Sequence, residues 1–297
     1  MIDKLEMFMA LAAERHFGRA AEVCGVTQPT LSSAIKQLED QLGVQLVWRG
    51  SRFQGLTPEG LRVLDWARRI VGDARSLREE MRAVRAGLSG VLRLGVIPTA
   101  LPMIARLTDR FTAAHPNVHL RIFSRTSAEI LQEIEDLELD AGVTYLDNEP
   151  LGRVARVPLY SEGYRLLVSG RMDLAARDSI AWNELGEVPL CLLTPEMQNR
   201  RIVNHFLAEA GVAVSAPVES NSMIALLAHV ATGRWASVVP EAMADLFASA
   251  DFRAIPIRAP EVHSVVGLIA PWREPHTPLL EALLADAAKI ATVGAGA

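Results

Sequence analysis

The sequence predicts an α/β chain in two parts: a winged helix-turn-helix over residues 1–60, then a long helix leading into a larger α/β portion. Three observations carry that expectation. Short, sharply punctuated helical patterns fill the first part, one uninterrupted amphipathic pattern comes next, and beyond Gly90 strand patterns alternate with helix patterns. The length of 297 residues also exceeds what one compact core ordinarily holds.

The first helix is marked by Leu5, Phe8, Met9, Leu11 and Ala12 at helical spacing. A second short helix over residues 19–24 carries the small pair Ala20-Ala21, Gly25 breaks it, and Val26 plugs the angle after it. Thr27 reads as an N-cap and Pro29 as a first-turn proline, whose missing N–H would have been unpaired anyway. The third helix runs to residue 42 with Leu31, Ile35, Leu38 and Leu42 on its inner face, and Gly43 stops it. Residues 44–49 are short and β-like, 50–55 supply a turn, and Leu56 begins a return arm. Thr57-Pro58-Glu59 opens a helix to about residue 86, where Leu61, Leu64, Val71, Ala74, Leu77, Met81, Val84 and Leu88 form a near-heptad stripe. So long a helix finds little to bury itself against in a small domain, so pairing with a second copy is favoured over a solvated helix packed on its own chain.

Strands are expected at 91–96, 118–123, 141–144, 164–168, 189–193, 214–218, 236–239 and 265–270. Helices are expected at 101–114, 127–137, 198–210, 222–232, 241–247 and 278–291. The alternation implies a largely parallel, doubly wound sheet in two similar units. A crevice between them would take a ligand beyond the carboxyl ends of the strands.

Half of the residues are hydrophobic and 22 % are charged, which excludes a disordered chain. The N-terminus lacks a secretory pattern and no apolar run is long enough to span a membrane, so a cytoplasmic protein is expected. The two cysteines, Cys24 and Cys191, support neither a disulfide scaffold nor a zinc site. The net charge of −5 hides an asymmetry: residues 1–90 hold 13 Lys and Arg against 11 Asp and Glu, a balance of +2, and the other 17 against 24 give −7. A slightly basic module beside an acidic remainder suits DNA at one end only.

On the outer face of the third helix stand Gln28, Pro29, Thr30, Ser32, Ser33 and Lys36. Amide, hydroxyl and ammonium groups at the start of a groove-entering helix meet base edges and phosphates, and Arg49 and Arg52 flank the wing turn as backbone-reaching residues would. Solvated polar residues on a small bundle are the other reading of each residue alone. The turn grammar and the wing together favour DNA.

Ala20-Ala21, Val26-Thr27-Gln28-Pro29, Leu31-Ser32, Ile35, Leu38-Glu39, Leu42-Gly43, Leu46, Arg49 and Leu56-Thr57-Pro58-Glu59-Gly60 closely resemble the N-terminal signature of LysR-type transcription regulators. Weaker matches, Leu139-Asp140-Ala141-Gly142-Val143 and residues 227–240, continue the resemblance towards the C-terminus. The N-terminal run is similar to regulators encoded beside formate dehydrogenase operons. The resemblance implies a homodimer or homotetramer joined by linker helices, bound to double-stranded DNA at promoter dyads and able to contact RNA polymerase. It also implies an effector domain like periplasmic solute-binding proteins, with crossings near Tyr160 and Gly267. The domains are then residues 1–60 for the winged helix-turn-helix, 58–88 for the linker, 91–161 plus 268–297 for lobe I, and 162–267 for lobe II.

The same resemblance places the effector among Pro98, Thr99, Ala100, Arg125, Thr126, Ser127, Thr144, Tyr145, Met197, Gln198, Asn199, Arg200, Asn221 and Ser222. Hydroxyls and helix N-termini there suit a small anion, formate or another short carboxylate, with no other cofactor. Thr99, Ser127 and Ser222 serve equally as ordinary helix caps. Trp235 departs from the family's aliphatic residue; it either narrows the crevice or fills a core. An enzyme is the rival class, but no dinucleotide loop, phosphate loop, nucleophile elbow or zinc spacing is found. A peroxide-sensing cysteine pair is disfavoured, because Cys24 falls in the helix-turn-helix.

Overall fold

The structure is a computed structural model that describes all residues except 49–52, 214, 248, 250, 259, 273–274 and 295–297. It comprises two compact units, one built chiefly on Met1–Ser89 and one chiefly on Gly90–Ile134 and Leu139–Arg273.

In the first unit α1 (Ile2–Glu14), α2 (Phe17–Val23) and α3 (Gln28–Leu42) surround a core of Phe8, Leu11, Ala20, Leu31 and Leu38, closed by Ala67 and Val71 of α4 (Pro58–Ala86). Local chemistry sets each boundary. The His16 imidazole caps α2, its Nδ1 accepting from the N–H groups of Gly18 (3.1 Å) and Arg19 (3.3 Å). Gly25, at φ +65°, turns the chain so that the Val26 N–H reaches the Ala21 carbonyl at 2.9 Å. Gly60 is required for packing: a Cβ there would collide with the Leu46 backbone carbonyl.

One expectation changes here. Leu42 is 40 % exposed instead of core, because α3 ends at Gly43 before its last turn can pack. Among the described residues the two arms of the wing meet through an antiparallel bridge, Val47 to Leu56, as suits a short, β-like arm. Glu39 also holds the first arm, its Oε1 accepting from the N–H groups of Leu46 (2.7 Å) and Val47 (3.2 Å). Arg49 and Arg52 lie outside the described residues. The long stripe on α4 divides: Leu64 and Val71 face the core, whereas Leu61, Leu77, Met81 and Val84 stay exposed, Val84 at 78 %.

The second unit has two lobes. The first is a sheet in the order β2-β1-β3-β11-β4, from β1 (Gly90–Val96), β2 (Val118–Ser124), β3 (Ala141–Tyr145), β4 (Val154–Glu162) and β11 (Ser264–Pro271), with α5 (Leu101–Ala114), α6 (Ser127–Glu135) and α10 (Pro278–Gly294). Gly95 and Gly142 are register partners. A Cβ on either would strike Ile130, so the pair of glycines lets α6 lie close on the sheet. The second lobe holds β5 (Tyr164–Ser169), β6 (Ile180–Ala181), β7 (Cys191–Leu193), α7 (Gln198–Glu209), β8 (Val218–Ser220), α8 (Met223–Ala231), β9 (Ser237–Pro240), α9 (Glu241–Leu246) and β10 (Phe252–Arg258).

Among the described residues the expectation of a largely parallel sheet holds for β1 with β2 and β3, β7 with β8, the short β6–β10 pairing and the bridge from Leu190 to Ala236. Strand β11 is antiparallel to β3 and β4, and β5 is antiparallel to β9 and β10. The cause is topological, since the chain leaves the first sheet at Glu162 and returns to it at Ser264. Gly267 lies inside β11, at a shift of register, close to the return of the chain at Ser264.

Candidate functional site

Helix α3 enters on a threonine: Thr27 Oγ1 accepts from the Thr30 N–H at 3.4 Å and lies 2.8 Å from the Thr30 hydroxyl, and Pro29 fills the first turn. Leu31, Ala34, Ile35 and Leu38 turn inward, which obliges Gln28, Thr30, Ser33 and Lys36 to face out, with Ser32 half-buried beside them. Pro29 is exposed at the same end. Gln37 ties back to Ser33, its Nε2 donating to Oγ at 3.3 Å. The surface is therefore an exposed, rigidly capped row of donors and acceptors.

The effector-side residues meet a different fate. Thr99 sits in a buried 3₁₀ turn, Pro98–Ala100, after β1; Thr144 and Tyr145 end β3; Ser127 opens α6; Asn199 stands in the first turn of α7 in the other lobe. All five are buried. Thr144 donates to Ser127 Oγ at 2.9 Å. The Tyr145 hydroxyl receives Asn199 Nδ2 at 2.9 Å, lies 3.2 Å from Thr99 Oγ1, and donates to Glu162 Oε1 at 2.6 Å. Its one donor and two acceptor positions are then all in use. A second hydroxyl, Tyr160, donates to Glu162 Oε2 at 3.4 Å. One hydrogen-bonded chain thus runs from α7 of the second lobe, through β3 of the first, to the crossing strand.

The lobes also meet where Gln198 Nε2 donates to the Asp147 carbonyl (3.3 Å) and where Arg201 pairs with Glu149 (2.6 Å). Gln198 Oε1 is buried with no partner, so the amide keeps hydrogen-bonding capacity beside Asn199. Burial pushes the Glu162 carboxyl up to about 8, helped by the charges of Asp147 and Glu241 and opposed by the two tyrosine hydroxyls. Tyr145, Tyr160 and Tyr164 are all raised, chiefly by burial and then by Glu162.

Other expected residues have local tasks. Thr126 and Glu129 cap α6 reciprocally, at 2.8 Å, 2.9 Å and 3.2 Å. Ser222 caps α8 through the Ala225 N–H at 3.5 Å, and Asn221 is exposed. The buried Arg200 guanidinium is held by Asn204 (2.8 Å), the Leu193 carbonyl (2.5 Å) and Glu219 (2.8 Å), and Arg125 pairs with Glu133 at 2.6 Å. Met197 lies in the apolar cluster with Leu226 and Met243. Trp235 packs half-buried on that same cluster, with the Arg234 guanidinium 4.9 Å above its ring. Glu162 and Tyr160 were missed by sequence reasoning. The available signal was the run Tyr160-Ser161-Glu162-Gly163-Tyr164, an acid set between two of the three tyrosines in the chain.

Among the described residues no group of three His, Cys, Asp or Glu is placed to hold a metal ion, and no helix is long and apolar enough to cross a membrane.

Residues 2–61 match the bacterial regulatory helix-turn-helix protein, lysR family, and residues 85–289 match the LysR substrate binding domain. Curated relatives include a hydrogen peroxide-inducible genes activator from Dickeya chrysanthemi, 30 % identical over 80 % of this chain and 78 % of its own. The DNA-binding transcriptional dual regulator OxyR of Escherichia coli is 29 % identical over 96 % of this chain and 95 % of its own. A full-length OxyR variant from Pseudomonas aeruginosa superimposes with a TM-score of 0.77 at 29 % identity, covering 97 % of this chain and 94 % of that one. The regulator CbnR shares the fold, with a TM-score of 0.64 at 21 % identity, covering 98 % and 99 %. The chain belongs to the LysR family of DNA-binding transcription regulators, with an N-terminal helix-turn-helix and a two-lobed effector-binding domain.

Proposed function

We propose that this regulator reads promoter dyads with α3 and takes a small anion between its two lobes, the anion biasing lobe closure and so the DNA complex. Gln28, Thr30, Ser32, Ser33 and Lys36 contact bases and phosphates around Pro29; Thr99, Ser127, Thr144 and Asn199 surround the anion. We take the winged helix-turn-helix to end near residue 60 and the linker near 88, with the effector domain divided into lobes near 161 and 267, and the chain to act as a regulator without catalysis of its own. Exposed Leu61, Leu77, Met81 and Val84 on α4 support a homodimer or homotetramer through the linker helix. The related regulator CbnR has been solved in complex with its target DNA, which fits the DNA assignment.

The observation that carries the effector reading is the convergence on Tyr145 of Thr99, from the turn after β1 in one lobe, and Asn199, from the first turn of α7 in the other. Relatives named for hydrogen peroxide induction suggest a second reading, thiol oxidation. The cysteines speak against it. Cys24 belongs to the helix-turn-helix unit, while Cys191 is 0 % exposed in β7, its thiol pushed by burial up to about 11, so the reactive thiolate is scarce.

Thermal unfolding of the full chain with formate, other short carboxylates and aromatic acids tests the anion reading. A ligand at ~100 times its Kd adds ~2.7 kcal/mol and raises the midpoint visibly. No rise with any anion, together with a peroxide response that a Cys191→Ser variant loses, would replace this reading with the thiol one.

A further inference from the structure

The three tyrosines of this chain, Tyr145, Tyr160 and Tyr164, all stand around one carboxyl group, that of Glu162. Glu162 is 2 % exposed and ends the strand that crosses between the lobes. Among the described residues its carboxyl is hydrogen-bonded by two tyrosine hydroxyls, and neither is a cation. Arg165 nearby is paired with Glu241 at 3.2 Å. Among the described residues, the charges that raise it are both acidic: Asp147, whose Oδ2 accepts from the Val265 N–H at 2.8 Å, and Glu241 at the start of α9. A small anion entering beside Thr99 and Asn199 would therefore approach a second buried negative charge that no described cation neutralises. That arrangement is unfavourable while Glu162 is ionised.

The hydrogen-bond directions give the same result independently. With Glu162 ionised, the Tyr145 proton is committed to Oε1, and the hydroxyl offers the crevice only lone pairs, which Asn199 and Thr99 occupy. With Glu162 protonated, the carboxyl O–H can donate to Tyr145, and the Tyr145 proton is released toward the crevice. Tyr145, Thr99 and Asn199 then present three donors to one anion.

We propose that Glu162 is the specificity-determining positioning residue of the effector site: the anion binds the form in which Glu162 carries a proton, and Tyr145 relays that proton into a donor aimed at the ligand. The inference rests on the anion reading of the crevice. It adds that the effector is an anion bound together with a proton, without a cationic side chain. The raised carboxyl of Glu162, at about 8, puts the switch within reach of ordinary pH.

The test uses the full chain in two measurements. First, the near-ultraviolet tyrosine difference spectrum is titrated from about pH 6.5 to about pH 9.5 without ligand. A step centred near the Glu162 value is expected, and it disappears in Glu162→Gln, which keeps the shape and lacks the charge. A missing step, or one that survives in Glu162→Gln, overturns the proposal. Second, the Kd for formate or acetate, whichever binds, is measured over the same range. It should weaken about tenfold from pH 7 to pH 9 in the wild type, be flat in Glu162→Gln, and be weak in Tyr145→Phe with a smaller slope, left by the charge of Glu162 alone. A wild-type Kd independent of pH, or an unaltered slope in Glu162→Gln, also overturns it. If the tyrosine step is present and no small anion binds at any pH, the anion reading fails and takes this inference with it. The titration separates that case from a Glu162 that holds no proton.

Discussion

Helix α3 and the crevice around Tyr145 are both clusters of small polar side chains, and they are built on opposite plans. On α3 the groups are exposed, apart from the half-buried Ser32, and the internal bonds described among them are the cap at Thr27 and the Gln37–Ser33 pair. Around Tyr145 every donor and acceptor of the hydroxyl is already bonded inside the protein. A preformed surface can read a rigid duplex without rearrangement, whereas a closed network must exchange its own bonds for those of a ligand. Such an exchange links binding to a change of state, as a sensor requires.

The largest effect expected on this contrast comes from undermining the scaffold of the exposed surface. Phe8→Ala empties the centre of the first unit and should cost about 3–5 kcal/mol, with loss of DNA binding, in thermal unfolding and gel-shift measurements. Next, Tyr145→Phe should cost about 1–3 kcal/mol, because it strips a buried carboxyl and two donors of their common partner. A negligible change would mean that the network is not closed as described.

Glu162 sharpens the comparison through pH. Its folded-state value, about 8, lies above its ordinary value of 4.5, so the folded chain holds the extra proton between the two. Its contribution is fully present below about 4.5 and is lost as pH rises through about 8. Glu162→Gln should flatten the stability profile in that window; an unchanged profile would show that another group titrates. On the exposed side, Gln28→Ala should change base preference by about 1–3 kcal/mol at one position. Lys36→Ala should weaken all sequences alike and lower the salt slope by about one. The smallest effect is expected at Trp235, whose ring packs on the Leu226 and Met243 cluster beneath Arg234. Trp235→Leu should soften unfolding by about 1 kcal/mol and leave the range of effective anions unchanged; a broadened range would put the indole in the crevice.

The legibility of the two regions in the sequence obeys the same contrast. The first unit is local: Thr27, Pro29, Gly25, Gly43, Thr57 and Pro58 each act on the turn they occupy, and the observed α3 and α4 begin on Gln28 and Pro58. Strands β4 and β10 were not expected, since Pro158 and Pro256 interrupt them. Both prolines are tolerated because the ladder is open on one side: β4 is an edge strand, and β6 meets β10 only at Ile257 and Arg258. The Glu162 network was illegible for another reason. Its members, residues 99, 145, 160, 162 and 199, are brought together only by the strand order and by the meeting of two lobes. Family resemblance reached Thr99 and Asn199 but gave no sign that a buried acid stands behind them.

Selection from a randomised duplex pool by the full chain, run in parallel with Gln28→Ala, tests most directly that the exposed face of α3 reads DNA. The wild type should enrich an interrupted dyad, and the variant a dyad with the same spacing and an altered half-site. An identical half-site from both proteins would contradict the placement of Gln28 in the groove, and no enriched sequence from the wild type would contradict sequence reading by this helix.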